Sequence, residues 1–146
     1  ATGTGNTGWV AGPEADTGRR TVAASIDADW QTNTGGVGYL YLRRTGNRVT
    51  LAARLDRVTA SGSRGNYDAV YTVPSGFVPL TDAYNIRGTA YGPAGVMGFV
   101  GDLSNPGQID VWFPSGGTWA ASDDVFFTAT WTTSDAWPSS LPGSAA

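Results

Sequence analysis

Residues 37–58 read VGYLYLRRTGNRVTLAARLDRV, and the fold class turns on how that run is parsed. Two stretches of strand-like alternation flank Thr45-Gly46-Asn47, a Gly-Asn turn of hairpin length. On the second arm Val49, Leu51, Ala53 and Leu55 alternate with Thr50, Ala52, Arg54 and Asp56. A period of two places the first set on a core face and the second on the opposite face.

The same reading extends outward. From Thr21 onward, Val22, Ala24, Ile26, Ala28 and Trp30 share one side of a predicted strand. Further strands are predicted at 69–73, 84–91, 96–100, 108–113 and 125–131, separated by PSGFVP, GPAG, SNPG and PSGG, each a strong turn signal. No helical period and no internal repeat is found. With 21 Gly and 8 Pro in 146 residues, the pattern predicts an all-β domain: a single antiparallel β-sandwich, jelly-roll-like, of about eight short strands. Residues 1–12 form a flexible lead-in or linker, 13–135 the sandwich, and 136–146 an extended tail packed on the domain or on a neighbouring subunit. Gly3, Gly5 and Gly8 match G-x-G-x-x-G, but no strand precedes them and Trp9-Val10-Ala11-Gly12-Pro13 stands where a helix is required. The only Met is Met97, which marks the chain as a fragment or a processed product.

Composition excludes several function classes. The chain has no Cys and no His, so disulfides, thiolate metal sites and every Ser-His or Cys-His nucleophile are absent. This argues against an enzyme and against a bound cofactor. A net charge of −3 and a pI near 4.6 disfavour nucleic acid and anionic lipid as partners. No apolar run reaches the roughly 20 residues of a membrane-spanning helix, so no membrane insertion is expected.

Three stretches, in this order, resemble the C-terminal domains of minor tail proteins, tail fibres and receptor-binding proteins from phages of actinobacteria. They are YLRRTGNRVTL (41–51), VPSGFVPL (73–80) and ATWTTSDAWPSSLPG (129–143). The family loop carries Arg where this chain has Val78, while Gly76 and Phe77 match and imply a tight turn that drops an aromatic ring into the core. The resemblance implies a homotrimeric all-β module at the distal end of a virion tail appendage. Its partner would be a host cell-wall polysaccharide or glycolipid. A ligand-free decoration or fibre-stabilising module, and a carbohydrate-binding module of a secreted bacterial enzyme, are the competing readings.

Six Trp and six Tyr invite a sugar-binding reading, because aromatic faces stack on sugar C–H faces beside polar neighbours. Trp30 and Trp131 read as core. Trp119, Asp123 and Asp124, in a loop, are the best candidate sugar contacts, against an alternative of turn-capping carboxylates and an anchoring ring. Asp27 and Asp29 with Trp30 form a weaker cluster. Trp112 and Asp110 lie opposite the apolar side made by Ile109, Val111 and Phe113, which fits a subunit interface first and a ligand second. Asp123 and Asp124 are adjacent and point to opposite strand faces, a poor arrangement for a glycosidase pair. Without an Asp-x-Asp-x-Asp-Gly loop no metal site is expected. Arg43, Arg44, Arg48, Arg54 and Arg57 read as a solvated or subunit-facing side paired with Asp56 and its neighbours.

The terminal stretch completes the prediction. Val125, Phe127, Ala129 and Trp131 should point inward on the last strand, with Thr128 and Thr130 outward. Ser134-Asp135 should turn the chain. Pro138 and Pro142 should keep the terminal residues extended and out of ladder pairing, with Trp137 and Leu141 as apolar pins and Ser144–Ala146 fraying.

Overall fold

The computed structural model describes residues 15–32, 38–60, 62, 68–80, 107–112 and 116–146, and the backbone of 87–92 and 95–101. The lead-in at 1–12, Phe113 and the start of the strand predicted from Tyr84 lie outside the described residues. Among those described, ten antiparallel strands form one sheet. They are β1 (Arg20–Thr21), β2 (Trp30–Thr32), β3 (Tyr39–Thr45), β4 (Arg48–Arg57), β5 (Asp68–Thr72), β6 (Arg87–Gly92), β7 (Gly95–Gly101), β8 (Gln108–Trp112), β9 (Asp124–Thr132) and β10 (Ser144–Ala145). Eight of them have three or more residues, and the sheet curls into a half-barrel. Its order is β10-β1-β3-β4-β9-β6-β7-β8-β5, with β2 also paired to β4.

The β3–β4 hairpin is the centre of this sheet. Thr45 pairs with Arg48 across Gly46 and Asn47. Gly46 takes a positive φ of 56° and Asn47 does not, the backbone pattern of a II′ turn, whose twist matches that of paired strands. The alternation Leu40, Leu42 and Val49, Leu51, Ala53, Leu55 is buried as the sequence predicts. β9 adds Val125, Phe127, Ala129 and Trp131 to the same face, with Thr128 and Thr130 exposed. Register fits large side chains beside small ones, since Phe127 lies opposite Ala53 and Leu51 opposite Ala129, which lets the layers interdigitate.

β2 and β3 lie end to end on one side of β4: Trp30 pairs with Arg57, Thr32 with Leu55, then Tyr39 with Arg54. The curl brings β5 against the segment after β1. A bulge between Ala69 and Tyr71 leaves Val70 out of register with β8, and both Val70 and Tyr71 are buried. The freed Val70 carbonyl accepts the Asp27 N–H at 3.1 Å, and Tyr71 bridges Ile26. A bulge bends its strand and re-aims side chains in this way.

The strand predicted from Val22 to Trp30 does not form. Ala23–Ser25 is a 3₁₀ turn, and Asp27 Oδ1 accepts the Asp29 N–H at 3.0 Å while Trp30 N–H donates to the Asp27 carbonyl at 2.9 Å. The Asp side chain closes a local turn, and that bond competes successfully with a ladder. Val22 and Trp30 are buried all the same, while Ala24 and Ala28 are exposed.

Leu51, fully buried at the crossing of β4 with β3 and β9, should be costly to truncate. Leu51→Ala is expected to lose about 2–5 kcal/mol in urea denaturation, and Thr130→Ala, exposed on the neighbouring strand, less than about 0.5 kcal/mol.

Candidate functional site

The inward parity of the hairpin does not stop at its apolar residues. Arg44 follows Leu42 by two positions and Arg57 follows Leu55 by two, so both point into the half-barrel, at opposite ends of the hairpin. Each is 3% exposed, which corrects the expectation of a solvated side for these two arginines, while Arg43 and Arg48 are exposed; Asp56 is buried as well. Arg43 pairs instead with Asp16, and Arg54 with Asp124 at 3.1 Å.

Arg57 organises the end of the barrel where the sugar contacts were expected. Its Nη1 donates to Asp68 Oδ2 at 2.8 Å and its Nη2 to Asp29 Oδ2 at 2.9 Å. The guanidinium carbon lies 5.1 Å from the Trp30 ring and 5.8 Å from the Trp119 ring. The two indoles meet edge to face, 5.0 Å apart at 84°, the arrangement their quadrupoles favour. Burial pushes the Asp68 carboxyl up, Arg57 pulls it back, and the charges of Asp29 and Asp27 add to the rise.

This geometry relocates the predicted site residues. Trp119 is 1% exposed and presents no face to a sugar, because Trp30 and Arg57 form the slot that takes its ring. Asp123 Oδ2 accepts the Ala120 N–H at 2.8 Å and Asp123 N–H donates to the Ala120 carbonyl, so this carboxylate caps a turn. The turn is tied to β4 by Ser122 N–H to the Arg57 carbonyl and Arg57 N–H to the Asp123 carbonyl. Asp124 opens β9 and holds Arg54. Asp110 is buried rather than exposed beside Trp112, and accepts Gln108 Nε2 at 2.8 Å. Trp112 is half-buried on β8, with β6 and β7 between it and β9. Among the described residues no group of three acidic side chains is placed to hold a metal.

Arg44 organises the other end. Nε donates to the Gly46 carbonyl at 2.8 Å, Nη2 to Asp135 at 2.9 Å, and Nη1 to both Ala136, at 3.2 Å, and Gly76. The guanidinium also sits 4.8 Å from the Trp137 ring. Burial draws it below its ordinary value, and the Asp135 carboxylate opposes that shift. Asp135 Oδ2 in turn accepts the N–H groups of Gly76 and Val78, both at 3.0 Å. Trp131 Nε1 donates to the Phe77 carbonyl at 2.7 Å. The loop is closed by Phe77 N–H to the Pro74 carbonyl, and the Phe77 ring is fully buried. Gly76, at φ 87°, is required here, since a Cβ would come 2.9 Å from Pro138. The three stretches of the family resemblance therefore meet at one guanidinium, and with Val78 in place of Arg the loop N–H groups are satisfied by Asp135.

Beyond Trp137 and Leu141, both half-buried, the tail does not fray as expected. Arg20 donates to the Pro142 and Gly143 carbonyls, Ser144 and Ala145 pair with Thr21 and Arg20 as β10, and Ala146 N–H donates to the Arg19 carbonyl. Proline blocks pairing only at its own position. Gly143 makes the approach possible, because a Cβ would fall 1.7 Å from the Thr21 carbonyl oxygen.

Comparison of the chain with protein-family models, curated proteins and solved structures finds no match.

Deletion of residues 136–146 removes two partners of Arg44, the Ala136 carbonyl and the Trp137 ring, together with β10. A loss near 3 kcal/mol, the scale of a Trp→Ala change, should lower the melting temperature by roughly 6–12 °C; an unchanged melting curve would show that the docked tail contributes nothing to stability. A second expectation concerns pH. The hydrogen bond from Arg43 holds the Asp16 carboxyl below its ordinary 3.8, so this pair stabilises above that value and its contribution disappears as pH falls through the lower folded value. Asp16→Asn should flatten the acid limb of the stability curve below about pH 4, read as the difference in melting temperature between pH 5 and pH 2.5.

Proposed function

We propose that the chain is a non-enzymatic tip domain of a phage tail appendage that contacts glycans on the host cell surface. The observation that carries this reading is the convergence at Arg44. The hairpin, the PSGF loop and the terminal Trp-Pro stretch, separated by tens of residues, make one contact set. Contacts that join all three stretches support reading them as one unit rather than as three separate short motifs.

The finer architecture belongs to the same proposal: a jelly-roll-like sandwich, assembled as a homotrimer at the distal end of the virion. The return of β9 between β4 and β6 and the approach of β5 to Ile26 and Asp27 support a fold closing on itself. The lack of His and Cys supports recognition over catalysis, since the commonest general base and thiolate nucleophile are missing.

Fluorescently labelled protein is expected to decorate intact cells of actinobacterial hosts, and light scattering to give about three times the 15.1 kDa of one chain. A folded protein that decorates no susceptible host would favour the ligand-free structural module instead.

A further inference from the structure

The two ends of the half-barrel carry opposite charge. β4 runs from one to the other, 10 residues from Arg48 to Arg57, or roughly 30 Å at about 3.3 Å per residue. At the Arg48 end, among the described residues, Arg19, Arg20, Arg43, Arg44 and Arg48 are accompanied by two carboxylates, Asp16 and Asp135. At the Arg57 end the balance reverses, with Asp27, Asp29, Asp56, Asp68, Asp123 and Asp124 around Arg54 and Arg57. We propose that these ends are the two halves of one interface, the basic end of each chain seating on the acidic end of a second copy. The assignment rests on the homotrimer reading above and names its contact.

Pairing within the chain does not cancel the excess at either end. Arg43 is neutralised by Asp16. Arg44 and Arg20 donate to carbonyls, which satisfy N–H groups and leave the positive charge in place, so for Arg44 only the Asp135 carboxylate opposes it. Among the described residues no carboxylate lies within ion-pair distance of Arg19, Arg20 or Arg48, and Arg19 and Arg48 are exposed. At the far end Arg54 balances Asp124, while the single Arg57 guanidinium is shared by Asp29 and Asp68. The exposed Asp27 carboxylate accepts an N–H in its own turn instead of meeting a cation. Asp68 feels this crowding, since the charges of Asp29 and Asp27 help to raise its carboxyl.

Each end also presents a large apolar side chain to solvent. Leu80, 45% exposed, donates its N–H to the carbonyl of Thr132, the cross-strand neighbour of Arg48. Val58, 42% exposed, donates its N–H to the Asp29 carbonyl. An apolar contact inside a polar rim, with arginine enriched, is how protein interfaces are built. An anionic polymer would answer the basic end alone, whereas a second copy supplies each end with its opposite in both charge and apolar surface. Contacts between unlike patches are heterologous, and they close into rings when the rotation between copies permits. Three chains laid along the sides of a triangle would bring every basic end to an acidic one.

The test is light scattering at micromolar concentration with two surface variants, Arg48→Glu at the basic end and Ala28→Arg, an exposed position between Asp27 and Asp29. Wild-type protein should associate at low salt and dissociate in 1 M NaCl, where the screening length falls to about 3 Å. Each variant alone should associate about tenfold more weakly, through like charges brought together, with its melting temperature unmoved. An equimolar mixture should regain a mass of at least twice the 15.1 kDa of one chain, because the intact basic end of one variant meets the intact acidic end of the other. A mixture that stays monomeric would overturn the pairing of unlike ends. A trimer whose mass changes with neither substitution nor salt would overturn this interface and leave the homotrimer standing. Loss of host-cell decoration by Arg48→Glu at unchanged mass would overturn it too, and give the basic end to an anionic ligand. Wild-type protein that stays monomeric at low salt would remove the interface and the homotrimer together.

Discussion

A guanidinium with 3% exposure has to find acceptors for its N–H groups or the fold does not form, and Arg44 finds them in segments far apart in sequence. The cost of burying an unsatisfied charge is several kcal/mol, more than most single contacts supply. That penalty makes the contact set cooperative. The carbonyls of Gly46, Gly76, Asp135 and Ala136 have to be in place together, which fixes where the PSGF loop and the tail can lie. The backbone of Arg44 is itself held by Thr17, whose N–H donates to its carbonyl and whose Oγ1 accepts its N–H. Arg57 plays the matching part at the other end with two carboxylates and two indoles. The half-barrel is thus apolar through its middle and closed at each end by a paired arginine.

This division separates scaffold from recognition. The hairpin turn, the PSGF loop and the terminal Trp-Pro stretch are consumed in satisfying Arg44 and docking the tail, so the residues that would touch a partner lie elsewhere on the molecule. Trp119, the most conspicuous aromatic in a loop, is likewise consumed at the Arg57 end. Among the described residues, Tyr39, Tyr41 and Phe126 reach solvent from the strands, on the outer side of a sheet whose inner side is filled.

How much of this could be read in the sequence depends on the range of the interaction involved. The hairpin and β9 were legible because alternation and a two-residue turn are local, and they place Leu51, Phe127 and Trp131 correctly. The 22–30 segment was not, because the Asp27 side chain offered its backbone a turn that apolar spacing does not register. Trp119 read as a surface residue because its slot is made by Trp30 and Arg57, from other strands. Asp110 was misplaced since both sides of β8 are covered there, and the pairing of Ser144 and Ala145 depends on an edge, β1, that forms only in the folded chain. The two buried arginines had a usable local signal: extending the alternation past Leu42 and Leu55 points Arg44 and Arg57 inward. Reading Arg as a surface residue obscured it.

Native-state hydrogen exchange on Arg44→Lys tests the central claim most directly. An ammonium has three donors and no planar fork, so it cannot serve four carbonyls spread over the hairpin, the loop and the tail. The account predicts that the amides of Gly76 and Val78, bound to Asp135, and of Ala146, bound to Arg19, lose protection together and by similar factors, while Leu51 at the centre of β4 stays protected. Loss at Gly76 alone, with Val78 and Ala146 as slow as in the wild type, would show the loop and tail to be independent and would contradict the account.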